Sequence, residues 1–246
     1  MGETDFSLFS GTILVIPVVS IANVPQLAVD LLIHSAGLAR KTMLDHSLLY
    51  PFAGSREDVG APCSGGIATA LDVFGDDKIT VIQQRSPVLP GEKRKFVEKV
   101  LLPFIKKGQF REVLVLGSTD ASRRNDAEIE GPKEFTLSTL QTVSGLSEHF
   151  SSLKLISGSK RVFPKLFSSG ALIPLLEHAL SQNVSMVALV MYVMEGDNTE
   201  DAKRMASMAA KACKLESLSE NLKSPKSWDH LFGKELKIGF EGGMFW

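Results

Sequence analysis

The chain has 246 residues, 44% of them hydrophobic, and a formal net charge of −1 at pH 7. That length and apolar content suffice for one domain with a sizeable core, and the balanced charge excludes the basic excess that favours nucleic-acid or anionic-membrane binding. The two cysteines, Cys63 and Cys213, lie far apart without a CxxC pair. We therefore expect reduced thiols in the cytoplasm or nucleus rather than a disulfide or a zinc site.

No segment of the sequence is typical of secretion or of membrane insertion. The first ten residues are acidic and lack the basic and apolar regions of a signal peptide. The longest apolar run, residues 184–194, is far shorter than the roughly 20 residues that a spanning helix needs. These features predict a soluble protein that uses no membrane.

The first elements in chain order are a buried strand and an amphipathic helix. Residues 12–20 form a β-branched, nearly continuous apolar run, which is typical of a central strand covered on both faces. In the helix that follows, Asn23 suits the N-cap, Pro25 suits the first turn and Gly37 suits the C′ position.

Short strands and a second helix come next. We expect strands at residues 42–49, 67–74 and 79–84, the last two joined by the hairpin turn GDDK. Residues 92–107 have a helical pattern, in which Pro103 predicts a kink or an early end.

The second half of the chain continues the alternation of strands and helices. Residues 112–118 and 185–193 are predicted buried strands, and a long polar loop, TDASRRNDAEIEGP, follows the first. The segment GALIPLLEHALSQN is predicted to be helical despite Pro174. A further helix is marked by Ala202, Met205, Ala206, Ala209 and Cys213, with Cys213 as a small core residue.

The alternation predicts an α/β fold, a three-layer sandwich with a mixed, largely buried sheet. We assign one domain to residues 1–233, with a short helix in SPKSWDHLFGK, and an extended tail to residues 234–246.

A search for catalytic motifs gives no candidate active site. No GxGxxG follows a strand, and the sequence contains no GxxxxGK[ST], HExxH or GxSxG motif. The five histidines are scattered, and His34 fits a half-buried core histidine better than a ligand. We therefore predict no catalytic residue, no cofactor and no metal.

Two charged clusters allow a different interpretation. RRND begins at Arg123 and EGDN begins at Glu195, and each follows a predicted buried strand. At one sheet edge they would form a nucleoside- or phosphate-binding pocket, which is the alternative enzyme hypothesis. In the competing interpretation, EGDN supplies a turn and a helix cap, and RRND is a solvated or partner-facing loop.

Four segments in order give the chain a family resemblance: PVVSIANVPQLAVDLLI, RRND, VMEGDN with a following DA, and SWDHLFG. Together they resemble the proteasome assembly chaperone 2 family over residues 12–233. The resemblance implies a fold similar to nucleoside phosphorylases without their catalytic residues, and a role without enzymatic activity. It also implies a heterodimer with proteasome assembly chaperone 1. This heterodimer binds α subunits of the core proteasome, promotes α-ring assembly and prevents off-pathway ring dimers, in the cytoplasm and nucleus.

The sequence ends in GGMFW, which the resemblance compares with a terminal hydrophobic-Tyr-X motif. This motif inserts between α subunits, where its terminal carboxylate pairs with a lysine. Met244 matches the hydrophobic position, Phe245 replaces the tyrosine, and Trp246 supplies the carboxylate. We name these three residues as the partner-binding site; alternatively, the aromatic residues pack back on this protein or on its partner, or stay disordered. A generic homodimeric binding module is a further alternative for the whole chain.

Overall fold

The computed structural model describes residues 5–55, 66–124, 131–139, 144–157 and 163–230. Its strands are β1 (Ile13–Pro17), β2 (Ala39–Met43), β3 (Ala53–Ser55), β4 (Ile67–Thr69), β5 (Leu71–Gly75), β6 (Ile79–Gln84), β7 (Glu112–Asp120), β8 (Glu134–Ser138), β9 (Lys154–Ser157) and β10 (Val187–Val193).

The helices include one that is interrupted by a π-helical turn. They are α1 (Val24–Ala36), α2 (Lys93–Phe96, then the π turn Val97–Leu101, then Leu102–Lys107), α3 (Gly145–His149), α4 (Leu172–Ser181), α5 (Thr199–Ala212) and α6 (Glu216–Ser219). Short 3₁₀ turns occupy Phe6–Phe9, Ile21–Asn23, Ala121–Arg123 and Lys226–His230.

Eight strands form one mixed sheet in the order β2-β5-β6-β1-β7-β10-β8-β9. The four central strands β6, β1, β7 and β10 are parallel to one another. Strands β5 and β8 run antiparallel to their central neighbours. Every residue of β1 is buried, as the continuous apolar run predicts for a strand covered on both faces. Strands β3 and β4 form a separate hairpin.

Helices cover both faces of the large sheet. Apolar side chains of α1, α3 and α5 pack on one face, and those of α2 and α4 pack on the other. The predicted three-layer α/β sandwich with a mixed sheet is therefore confirmed.

The end of α1 follows its prediction more closely than the start. Gly37 has a φ of +64°, and its N–H donates to the carbonyl of His34 at 3.4 Å. Pro25 lies in the first turn as predicted, but the Asn23 side chain makes no capping hydrogen bond. Asn23 instead has a left-handed backbone with a φ of +54°.

Helix α2 does not end at Pro103. The N–H of Leu102 donates to the carbonyl of Val97, which is the i to i−5 bond of a π turn. Because proline has no N–H for the carbonyl four residues earlier, the wide turn directly before it lets the helix continue to Lys107. Of the two outcomes predicted at Pro103, a kink or an early end, the early end does not occur, and the helix continues after an irregular turn.

The edge of the sheet beside β5 differs from the sequence prediction. Residues 67–74 divide into β4 and β5, and β2 occupies Ala39–Met43 rather than residues 42–49. The fully buried Asp72 accepts bonds from the N–H and hydroxyl of Thr69, both at 2.8 Å, and from Arg40 at 2.7 Å. These bonds stabilise the bend between β4 and β5, because they satisfy a carboxylate that would be costly to bury alone.

Candidate functional site

The carboxyl ends of the parallel strands meet at one edge of the sheet. Strand β1 leads through α1 to the side of β2, β5 and β6, whereas the chain after β7 leads to the side of β8 and β10. The position between β1 and β7 is therefore a topological switch point, where α/β folds commonly form a ligand crevice. Both charged clusters lie near it.

Two serine hydroxyls close the space between the ends of β1 and β7. The Oγ atoms of Ser20 and Ser118 lie 2.8 Å apart. The Ser118 hydroxyl also lies 2.7 Å from the carbonyl of Ile21, and its N–H donates to the Ser20 Oγ at 3.1 Å. The polar groups at this switch point thus bind each other rather than pointing into a cavity.

A segment preceding α4 crosses the same strand ends. The carbonyl of Phe167 accepts bonds from the Thr119 hydroxyl at 2.9 Å and from the Asp120 N–H at 3.2 Å. At Gly170, φ is +62°, and an added Cβ would lie 1.9 Å from the carbonyl oxygen of Val19. Backbone therefore packs against backbone where a ligand would need to enter.

The RRND cluster begins at this edge, and its arginines lie on aromatic rings. Arg123 is centred 5.4 Å from the ring of Phe167, and Arg124 is 4.6 Å from the ring of Tyr192 in β10. Arg124 also donates to the carbonyl of Gly131 at 3.0 Å. Residues 125 and 126 of the cluster lie outside the described residues.

The EGDN cluster forms a turn and a helix cap. Asp197 accepts the N–H of Thr199 at 3.0 Å, and the Asn198 side chain donates to the carbonyls of Met194 and Gly196. In this cluster the turn is confirmed, and Asp197 accepts the N–H of the first residue of α5, whereas the N-cap residue Asn198 makes no side-chain capping bond. The register pair Val193 and Asp120 places the two clusters at the same edge, as the alternative hypothesis required. However, Arg123, Arg124 and Asp197 are engaged in local contacts.

Two carboxylates at this edge, Asp120 and Asp197, favour their charged forms. The side chain and N–H of Ser122 lower the pKa of Asp120, and the N–H of Thr199 lowers the pKa of Asp197. A general base works best with a pKa near the operating pH, so these lowered values do not suit either group to proton transfer at neutral pH.

Apolar side chains are exposed beside these charges. Phe167 is 39% exposed and Met194 is 65% exposed. The Lys165 ammonium lies 5.0 Å from the Phe167 ring, on which Arg123 also lies. We call Arg123, Lys165, Phe167 and Met194 the carboxyl-edge patch. Exposed aromatic and Met side chains with flanking cations are characteristic of protein interfaces.

Other chemistry has little support in the described part of the chain. No three His, Cys, Asp or Glu side chains there gather into a potential metal site, and no helix there is long and apolar enough to cross a membrane. Cys213 is buried and free, and burial, together with the charge of Glu112, raises the pKa of its thiol to about 12. The prediction of Cys213 as a core residue is confirmed; Cys63 lies outside the described residues.

The partner-binding residues named from the sequence, Met244, Phe245 and Trp246, also lie outside the described residues. Their role stays a prediction. Phe167 was not among the residues predicted from the sequence, because its part of the chain has no recognisable pattern. The glycine of FSSG was the available signal, because a tight backbone approach needs a residue without a Cβ.

Comparison with known proteins gives a consistent family assignment. The model of the PAC2 family matches residues 14–226. Proteasome assembly chaperone 2 of Danio rerio is 28% identical over 247 residues, covering 93% of this chain and 94% of that protein. Proteasome assembly chaperone 2 of Homo sapiens is 27% identical over 251 residues, covering 92% and 94%.

Solved structures share the fold at low sequence identity. Pyrococcus furiosus PbaA, an archaeal homolog of proteasome-assembly chaperone, has a TM-score of 0.64 and 14% identity, covering 86% of this chain and 87% of that chain. Pyrococcus furiosus PbaB, an archaeal proteasome activator, has a TM-score of 0.60 and 16% identity, covering 86% and 89%. At such identities the likeness shows the fold alone.

Proposed function

The chain belongs to the PAC2 family, and from this premise we propose that it acts as a proteasome assembly chaperone rather than an enzyme. The observation that carries the proposal is the extent of the likeness. Relatives named proteasome assembly chaperone 2 align with more than nine-tenths of this chain and of their own length. An alignment of that extent includes the whole sandwich rather than one shared motif.

The finer proposal concerns the partners. We propose that the chain forms a heterodimer with proteasome assembly chaperone 1. In this proposal the pair binds α subunits of the core proteasome, promotes α-ring assembly and prevents off-pathway ring dimers, in the cytoplasm and nucleus. A stable contact of this kind needs roughly 800 Å² on each partner.

The carboxyl-edge patch supports a partner surface on the folded domain. Phe167 and Met194 provide apolar area, and Arg123 and Lys165 provide cations for acidic groups of a partner. In the tail, Met244 and Phe245 would supply apolar anchors and Trp246 the terminal carboxylate. Replacing the motif tyrosine by Phe245 removes a hydroxyl, which costs about 1 kcal/mol where its partner is left unpaired.

The closed switch point counts against the alternative nucleoside- or phosphate-binding enzyme. Its crevice would have to form where Ser20 contacts Ser118 and where Gly170 approaches Val19. Among the charged side chains required for it, Arg123 and Arg124 lie on aromatic rings and Asp197 accepts a backbone N–H.

The experiment is a pulldown from cell extract with three baits: the full chain, a chain ending at Gly243, and a Met194→Glu variant of the full chain. Mass spectrometry identifies the captured proteins. We expect every folded bait that retains the heterodimer surface to recover a second assembly chaperone. We expect the chain ending at Gly243 to lose the α subunits, because it lacks residues 244–246.

Met194→Glu reports on the folded surface, with Leu155→Glu as the matched control. Both side chains are exposed, but Leu155 lies on β9, at the sheet edge opposite β2. Loss of one partner with Met194→Glu alone would assign that partner to the carboxyl-edge patch. Recovery of no proteasome component by the full chain would contradict the proposed function.

A further inference from the structure

A small cavity lies between α2 and α4, at the carboxyl ends of the parallel strands β1 and β6. Its volume is about 130 Å³. Most of its lining is apolar, and the walls include Val18, Val88, Phe96, Leu101 and Leu175. We call this space the α2–α4 cavity.

The π turn of α2 shapes one wall of the α2–α4 cavity. Phe96 and Leu101 are five residues apart in the chain, and both line the cavity. In a regular α-helix they would point about 140° apart, since 3.6 residues make one turn. The wider turn, closed by the bond from the Leu102 N–H to the Val97 carbonyl, brings residues five apart towards one side of the helix. This uncommon backbone geometry is frequent at functional sites.

The wall opposite α2 is held in place by backbone hydrogen bonds. The carbonyl of Pro87 accepts the N–H of Tyr50 at 3.1 Å, and the N–H of Leu89 donates to the carbonyl of Leu48 at 2.9 Å. Val88 lies between these two bonds and is therefore fixed in position. A cavity that is formed in advance loses little conformational entropy when it is filled.

The size and polarity of the α2–α4 cavity decide what it can hold. Pockets for cofactors and drug-sized ligands usually measure about 300–1,000 Å³. An apolar cavity of about 150 Å³ holds one benzene molecule. The buried Gln84 donates its Nε2 to the carbonyl of Ser86 at 2.9 Å and therefore requires no polar ligand for this group. The cavity thus fits one large apolar side chain, such as leucine, and is too small for a nucleoside.

Lys93 gives the exposed margin of the cavity a positive charge. It lines the cavity and is exposed, and within the described part of the chain no carboxylate pairs with it. The acidic side chains of the same helix region are engaged elsewhere: Glu92 pairs with Lys95, and Glu98 contacts His178. A free cation beside an apolar cavity is complementary to an acidic group next to an apolar side chain.

We propose that the α2–α4 cavity binds a leucine-sized apolar side chain of a partner protein, next to an acidic residue that pairs with Lys93. Residues 167–170 connect this cavity with the carboxyl-edge patch, because Phe167 belongs to the patch and Gly170 lines the cavity. One partner can therefore cover both. An apolar side chain buried in a pocket commonly provides a large part of the binding free energy of an interface.

This inference goes beyond the proposed function, because it assigns a recognition pocket with its own chemistry. The pocket selects a short segment in which a leucine-sized residue is flanked by acidic residues. That selection depends on the shape of the cavity and on Lys93, and it requires neither a second assembly chaperone nor an α subunit.

The test is an NMR titration of the full chain with labelled valine and leucine methyl groups. The probe is the blocked peptide acetyl-Glu-Leu-Glu-amide. We expect saturable shifts of the methyl signals of Val18, Val88 and Leu175, which line the cavity, and no shift for Leu31, which is buried on the opposite face of the sheet.

Two control peptides separate the apolar contact from the charge. Acetyl-Glu-Ala-Glu-amide should bind at least about tenfold more weakly, because it buries less apolar area. Acetyl-Lys-Leu-Lys-amide keeps the leucine but places like charges beside Lys93, and it should also bind more weakly than the probe.

Matched variants locate the binding site. Lys93→Gln should weaken binding of the probe about threefold, as expected for an exposed ion pair, whereas Arg94→Gln removes a neighbouring exposed charge and should leave binding nearly unchanged. Val88→Phe fills the cavity and should abolish the shifts. Val184→Phe is its control, because Val184 is also partly buried against the same core but does not line the cavity.

Four results would overturn the inference. They are the absence of saturable shifts at the lining methyl groups, equal binding of the alanine peptide, and shifts that neither Lys93→Gln nor Val88→Phe reduces. The fourth is a change of the lining signals with protein concentration in the absence of peptide, which would assign the cavity to a second copy of the chain. Because the titration contains no assembly chaperone and no proteasome subunit, its failure is distinguishable from failure of the proposed function.

Discussion

The crevice between β1 and β7 is closed, whereas the groove between α1 and the β3–β4 hairpin, the α1–hairpin groove, is a cavity of about 250 Å³. At the crevice, Ser20 contacts Ser118, and Gly170 lets one backbone approach another. At the groove, Asp30 and Arg85 form a charged pair beside open space. The position that most often holds a ligand in α/β folds is filled by the chain itself, so the topology alone does not locate the functional cavity.

The largest expected effect comes from opening the crevice with Gly170→Ala. The new Cβ would lie 1.9 Å from the Val19 carbonyl, and the backbone has a φ of +62°. We expect the free energy of unfolding to fall by about 3 kcal/mol or more, measured by urea denaturation. Gly11→Ala is the control, because Gly11 also has a positive φ, +77°, but a Cβ added there would meet no neighbouring atom within 4 Å. It should cost only about 1 kcal/mol, and equal effects would contradict the close packing at Gly170.

A smaller effect is expected when the charged pair of the groove is broken by Arg85→Met. Asp30 keeps its bond from Gln83 but loses its bond and ion pair with Arg85. Because Arg85 is partly exposed and water compensates for some of the loss, we expect unfolding free energy to fall by about 1–2 kcal/mol.

The double variant Asp30→Asn with Arg85→Met tests the physical cause. The neutral amide can still accept the bond from Gln83, so the double variant should be less destabilised than the sum of the single variants. Additive losses in urea denaturation would show that the charge pairing is not the source of the effect.

The smallest effect concerns the cap at the carboxyl edge. The Thr199 N–H lowers the pKa of Asp197 below its ordinary 3.8, so the folded state binds this proton less tightly than the unfolded state. Its contribution is therefore present above pH 3.8 and is lost as the pH falls through the lowered value. Asp197→Ala should lower Tm slightly at pH 7, and this difference should vanish in strong acid.

Asp77→Ala removes the same charge from the turn between β5 and β6 and serves as the control for net charge. Thermal scans of both variants against the parent from pH 7 to pH 2 separate the two causes. A difference specific to Asp197 that persists unchanged in strong acid would contradict the cap.

The elements that were predicted correctly from the sequence have an uninterrupted pattern of apolar residues. Strands β1 and β10 are continuous apolar runs, and α5 repeats small apolar residues on one face. Strand β8 was missed because its buried positions include Glu134 and Thr136, which suggest a polar loop. Contacts with distant parts of the chain allow these polar residues to be buried in a strand. Arg204 pairs with Glu134, and β10 and β9 flank the strand.

The site was less predictable than the fold. The common edge of RRND and EGDN followed from the strand pattern, since carboxyl ends of parallel strands coincide. The ring contacts of Arg123 and the exposure of Phe167 depend on a segment far along the chain, which no local pattern connects to β7.

The pairing of β7 with β10 has a consequence for synthesis of the chain. The hairpin of β5 and β6 and the parallel pairs around β1 can form once residue 120 has left the ribosome, but β7 lacks its second neighbour until Val193 emerges. During that interval one side of a buried, apolar strand has its hydrogen-bonding groups unpaired and is prone to wrong pairing. The nascent chain is therefore most vulnerable to aggregation after β7 has been made and before β10 arrives.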